Sequence, residues 1–176
     1  MDLSKVTIGD KAPQEINVVI EIPQGSAVKY EIDEETGNLE VDRFIGSASV
    51  YPFNYGFIPE TLAHDGDALD VMVISSLPVD PESIITVKPV GLLEMEDEHG
   101  GDEKILAVPV SEVDPFYAHI EKLEDIDLPT RERIKLFFKQ YKEMEAERWS
   151  KVQNFQGKEE AIKAIEECRK RHDSQQ

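Results

Sequence analysis

Three carboxylates fall within six residues at Asp65-Gly66-Asp67-Ala68-Leu69-Asp70, and an apolar run through Val71, Met72, Val73 and Ile74 follows at once. Two unit charges about 5 Å apart repel by roughly 3 kcal/mol at an effective dielectric near 20, so such a cluster attracts cations. Its hard oxygen donors suit magnesium, manganese or calcium rather than a soft metal. An EF-hand calcium loop wants an oxygen ligand at its fifth position and Gly at its sixth. Counted from Asp65 those positions are Leu69 and Asp70, so the pattern fails. Magnesium takes one or two carboxylates, keeps several waters and shares its remaining positions with phosphates, which an acidic turn at a strand start can satisfy. Taken alone, the motif reads equally well as a solvated acidic turn.

A second acidic group, Asp97-Glu98-His99-Gly100-Gly101-Asp102, is followed by Lys104. It lies between two expected strands, where a hairpin can carry it to the same end of a sheet as Asp65, Asp67 and Asp70. Cations then point to the substrate. Between Ala12 and Ile120 only Lys29, Arg43, Lys88 and Lys104 are basic, against 22 acidic residues. Arg offers a planar fork to phosphate oxygens and Lys a point charge. Metals together with Lys29, Arg43 and Lys104 suit a concentrated polyanion, most simply a di- or triphosphate. Tyr51, Tyr55, Tyr141 and Lys142 are further donors, although Tyr141 on an apolar helix face also reads as core. The four histidines have no zinc spacing, and no P-loop, G-x-G-x-x-G or G-x-S-x-G is present.

The elements that must position these groups are strands in the first two thirds. Asn17 to Ile22 is apolar but for Glu21. Ala27 to Asp33 alternates, Glu34 to Gly37 forms a turn, and Asn38 to Ile45 completes a hairpin. Arg43 shares parity with Val41 and Ile45, so it is expected to be buried with a partner or to face a site. Tyr51 to Gly56 reads as a turn. Strands follow at Leu69 to Ile74, Ile84 to Met95 and Lys104 to Val110. The last third reads as helical. Ile134, Phe137, Phe138, Tyr141 and Met144 recur at helical spacing behind Pro129, and a final helix runs from about Lys158 to Arg171 with acids at its start and bases at its end. Short strands with late helices predict an α+β fold, a small closed barrel with helices packed outside.

At 176 residues and 40% hydrophobic content, the chain is expected to form one globular domain spanning 1–176. A net charge of -18 argues against nucleic acid and anionic membrane as partners. One cysteine, Cys168, permits no internal disulfide. The first residues carry no signal-type apolar segment, and no apolar run reaches the roughly 18 residues of a membrane span. A cytoplasmic location is therefore expected.

Taken in order, these segments resemble the family I soluble inorganic pyrophosphatases of the single-domain bacterial and archaeal type. The resemblance rests on Glu21-Ile-Pro, Lys29-Tyr-Glu31, Val41-Asp-Arg43, Tyr51-Pro-Phe-Asn-Tyr55-Gly-Phe-Ile-Pro, the Asp65 to Asp70 motif, Val90-Gly-Leu-Leu, Asp97 to Lys104, and Phe137-Phe-Lys-Gln-Tyr141-Lys142. It implies a five-stranded OB-like barrel and magnesium-dependent hydrolysis of pyrophosphate to two orthophosphates. It also implies that several ions are bound per site, manganese or another divalent ion being possible. By the same resemblance, Asp65, Asp70 and Asp102 hold metal, Asp97 joins Asp102 around a further ion, and Glu31 assists an ion carried by substrate. Asp67 would be the general base for in-line attack by a metal-bound water. Lys29, Arg43, Tyr55, Lys104, Tyr141 and Lys142 would bind phosphate oxygens, with Glu21 and Tyr51 in support. A homohexamer is implied as well. The chain departs from the family pattern at Ala68, where Pro or Glu is common, at Arg148 for Lys, and at Phe155 for Trp; these touch rate and fine affinity. A nucleoside polyphosphate hydrolase and a non-catalytic acidic metal-binding module are the rival readings, the second leaving Lys29, Arg43 and the tyrosines without a role.

Overall fold

Near-continuous apolar runs along most of the ring strands give a sheet that is buried on both faces. In the computed structural model, which describes residues 1–33 and 35–175, these strands are β1 (Ile16–Ile22), β2 (Val28–Ile32), β3 (Leu39–Phe44), β4 (Asn54–Ile58), β5 (Leu69–Val73), β6 (Ile84–Asp97), β7 (Gly100–Gly101), β8 (Lys104–Pro109) and β9 (Ser150–Gln156). The helices are α1 (Leu128–Gln140) and α2 (Lys158–Asp173). Glu34, at the head of the expected turn, lies outside the described residues; Gly37 N–H closes that turn on Asp33 O at 2.7 Å. Seven strands join in the order β1-β4-β5-β8-β6-β7, with β9 on β6. Because β1 also pairs with β6, the strands β1, β4, β5, β8 and β6 return on themselves as a five-strand ring. Only β5 and β8 run parallel; the other described pairings are antiparallel. The strands β2 and β3 form a separate two-stranded sheet.

Successive residues of the ring strands feed two cores. Ile22, Tyr55, Met72, Ile74, Leu106 and Val108 pack with Ile134, Phe137 and Phe138 of α1. Their neighbours Ile20, Val71, Val73, Ile105 and Ala107 pack with Ala161, Ala164, Ile165 and Cys168 of α2. The period-2 alternation of the pleat thus assigns one helix to each face. Asp127 starts α1 by accepting Thr130 N–H at 2.7 Å, and Pro129 occupies its first turn.

Three expectations need correction. Tyr51 to Gly56 is not simply a turn, since β4 begins at Asn54. Its turn-like residues have tertiary uses. Asn54 is fully buried and bonds Gln24 N, Val79 N, Ser75 Oγ and Leu77 O. At Gly56 a Cβ would sit 1.9 Å from Val19 O, so only glycine lets β1 approach. The first long helix ends at Gln140, and Met144 is 71% exposed in the turns beyond it. The last third is also not wholly helical: β9, which carries Phe155, pairs with β6, Leu93 lying opposite Phe155. The polar segment Ser150–Gln156 has weak alternation of its own, and the long edge of β6 supplies its hydrogen-bonding partner.

Candidate active site

The parallel pairing of β5 with β8 builds the centre of the site. Val71 lies opposite Ile105 and Met72 opposite Leu106, so Asp70 and Lys104 stand side by side where the two strands begin. Both share parity with the α1-facing residues, as does Asp102 two positions earlier. Lys104, 3% exposed, forms ion pairs with both Asp70 and Asp102. Asp102 N–H bonds Met95 O at 2.9 Å, fixing the β6–β7 hairpin that brings the second acidic group to this end. Tyr55 of β4 lies opposite Met72, on the same face, with Lys104 Nζ 5.8 Å from its ring centre.

Glu21 arrives by another device. The β1–β4 register shifts between Ile20 and Ile22, and this bulge turns Glu21 toward the site. One of its oxygens accepts Ile32 N–H at 2.8 Å, tying the β2–β3 hairpin to the ring. That hairpin carries Lys29 opposite Arg43. Asp42 lies between them, paired with Lys29 at 3.4 Å and with Arg43, while Lys29 also pairs with Glu31. Arg43 is further paired with Glu145 at 2.8 Å, and Glu145 with Arg148 at 3.4 Å. At the far wall Lys142 pairs with Asp97 at 2.9 Å and Glu98 at 3.4 Å. Tyr141 ends α1, packed edge-on against Phe138 at 5.6 Å between ring centres. It is therefore both core and site wall, as its two readings in the sequence allowed.

All of these expected site residues, from Glu21 to Lys142 and including Asp65, Asp67 and Tyr51, line one pocket of about 440 Å³. Nine acidic side chains face five basic ones there. Burial, above all, pushes the Glu21 carboxyl from 4.5 up to about 8, with the Asp70 charge adding to the rise. Burial also raises Asp102, against the pull of Lys104. For Lys104 burial disfavours the charge, but Asp70, Tyr55 and Asp102 outweigh it and hold the ammonium well above its ordinary range. Burial holds the phenols of Tyr51 and Tyr55 well above 10 and raises that of Tyr141, so all three remain neutral donors.

Asp42, Glu98 and Glu145 were not among the site residues expected from the sequence, although Glu98 lies within the second acidic group. Adjacency to Arg43 and Asp97 was the available signal for the first two. Glu145 had none, because its partner Arg43 comes from a distant hairpin. Among the described residues, no three acidic, His or Cys side chains converge tightly enough to enclose an ion. The donor set still fits hard cations: it is all oxygen, and its acidic side chains outnumber the basic ones that face them. No helix among the described residues is long and apolar enough to cross a membrane.

Residues 18–173 match the family model for inorganic pyrophosphatase. The inorganic pyrophosphatase of Aquifex pyrophilus is 53% identical over 157 residues, 89% of each chain. That of the archaeon Aeropyrum pernix is 47% identical over 168 residues, 96% of each. The crystal structure of inorganic pyrophosphatase from Thermus thermophilus superposes with a TM-score of 0.94 at 40% identity, covering 98% of this chain and 99% of that one.

Proposed function

This chain belongs to the inorganic pyrophosphatase family, hydrolases of a phosphoric anhydride, and from that membership we propose a magnesium-dependent cleavage of pyrophosphate with the following division of labour. Asp65, Asp70, Asp97 and Asp102 would hold metal, and Glu31 would assist an ion that arrives with substrate. When bound, such divalent ions supply Lewis acidity: they lower the pKa of the attacking water and offset phosphate charge. Asp67, on the exposed turn ahead of β5, takes the proton of that water. Lys104 and Tyr55 meet phosphate oxygens from the floor, Lys29 and Arg43 from the β2–β3 hairpin, and Tyr141 and Lys142 from the end of α1. The neutral phenols donate hydrogen bonds while the cations spread charge from the leaving phosphate. Glu21 and Tyr51 brace the hairpin and the floor.

The observation that carries this reading is Lys104 held between Asp70 and Asp102, which gathers both acidic segments and a buried cation at one end of the ring. A polyanion needs both signs of charge there, and a purely storage-type acidic site does not. The test is phosphate release from pyrophosphate and from a nucleoside triphosphate, with magnesium and with chelator. Turnover on pyrophosphate that requires magnesium, with far less on the triphosphate, is the expected result; no magnesium-dependent turnover on pyrophosphate overturns the proposal.

The same membership supports reading the five-strand ring as a closed OB-like barrel, the whole of 1–176 as one catalytic domain, and the enzyme as a cytoplasmic homohexamer. Sedimentation of the purified chain measures the last of these.

A further inference from the structure

The turn that carries Asp65 and Asp67 is exposed, so something must hold its shape against solvent. Ala63 N–H closes on Asp67 O at 2.7 Å, and Asp67 N–H reaches Asp65 Oδ1 at 3.2 Å. At its base the buried Thr61 hydroxyl donates to Ile58 O at 2.6 Å and accepts Leu69 N–H at 2.9 Å, pinning the two strand ends together. Between this base and the acidic tip stands Leu62, whose two backbone groups are both taken by α2. Leu62 N–H donates to Cys168 O at 3.0 Å, and Arg171 Nε donates to Leu62 O at 2.9 Å. Arg171 Nη2 also lies 3.0 Å from Cys168 Sγ, which orients the guanidinium along its own helix.

We propose that Arg171, which does not line the pocket, is a positioning residue: with the Cys168 carbonyl it clamps Leu62 to α2 and so presents the Asp65–Asp70 segment in the shape that holds cations. The inference rests on the division of labour proposed above. A charged donor on a backbone carbonyl is among the stronger hydrogen bonds of a protein surface. Remote misplacement of a binding loop by about an ångström can cost two orders of magnitude in rate. The last turns of α2 therefore reach the chemistry through one backbone residue, without touching substrate.

The experiment compares Arg171→Ala, Arg171→Lys and Arg169→Ala, the last removing an equal charge from an exposed neighbour on α2. Hydrogen exchange of the amides of residues 62–67 is read on the metal-free protein. The magnesium concentration for half-maximal turnover of pyrophosphate and the KM at saturating magnesium are read on the loaded enzyme. Arg171→Ala is expected to speed exchange and to raise the magnesium requirement, each by about tenfold, the scale of one lost charge-assisted hydrogen bond. KM at saturating magnesium should stay within about twofold, because no substrate contact is lost. Arg171→Lys should restore most of both effects, and Arg169→Ala should show neither. Unchanged exchange and magnesium requirement in Arg171→Ala overturn the clamp, and so does the same loss in Arg169→Ala. A parent enzyme inactive on pyrophosphate would instead remove the proposed function, while the exchange comparison would still report on the clamp.

Discussion

Lys104 keeps its charge at 3% exposure because Asp70 and Asp102 both lie against its ammonium group. Among the described residues no cation pairs with Glu21, and burial lifts its carboxyl to about 8. The fold thus prefers the neutral acid. The stability this proton confers is full below about pH 4.5 and drains away as pH climbs through about 8. Glu21→Gln keeps an acceptor for Ile32 N–H without the charge. In the metal-free protein it should melt several degrees above the parent near pH 9 and match it near pH 4, as a thermal scan across pH will read. Asp67→Asn tests a different role. Loss of a general base should slow phosphate release by about 10²–10⁴-fold. Magnesium affinity by calorimetry should stay within a few-fold, because Asp65, Asp70 and Asp102 remain. The Asp motif was readable from sequence because carboxylates at a strand start are local. The partners of Arg43 were not, since Glu145 meets it only after the chain has folded back.

The β2–β3 hairpin is a separate small sheet, fastened to the ring by Glu21 and by bonds such as Tyr51 N–H to Ser26 O at 2.9 Å. Its cations face the pocket rather than the core. Lys29→Ala and Arg43→Ala should therefore raise KM for pyrophosphate and lower rate while moving the melting temperature little; a stability loss without a KM effect would assign them to the fold. Helix α1 behaves in the opposite way. Phe138 is 1% exposed and packs against Phe137, Tyr55 and Tyr141. Phe138→Ala should cost about 3–5 kcal/mol by urea unfolding. This contrast explains what could be read in advance. The hairpin announced itself by alternation, the strands at Asn17 and Leu69 by their apolar runs, and α1 by its aromatic spacing. The strand β4 hid behind Pro52, Asn54 and Gly56, residues that usually mark turns but here serve a buried polar staple and a close backbone approach. The strand β9 hid because pairing with β6, not its own composition, makes it a strand.

At the scale of the whole chain, a charge of -18 sets a standing self-repulsion, and the pocket concentrates part of it. Magnesium at about a hundred times its dissociation constant should add about 2.7 kcal/mol per site by mass action, visible as a higher melting temperature that chelator reverses. Sodium at equal ionic strength should give only the smaller, screened part of that gain. One feature of the ring reaches past chemistry into descent. The strands β5 and β8 enter together at the reactive pole and leave together at the opposite one. A single residue inserted between Asp70 and Val71, or between Lys104 and Ile105, would turn that charge to the other face and away from its partner. The connection that leaves β5 at the far pole is held by other means, the buried Asn54 bonding Ser75, Leu77 and Val79, so a change of length there disturbs packing while the register of the reactive pole stays fixed.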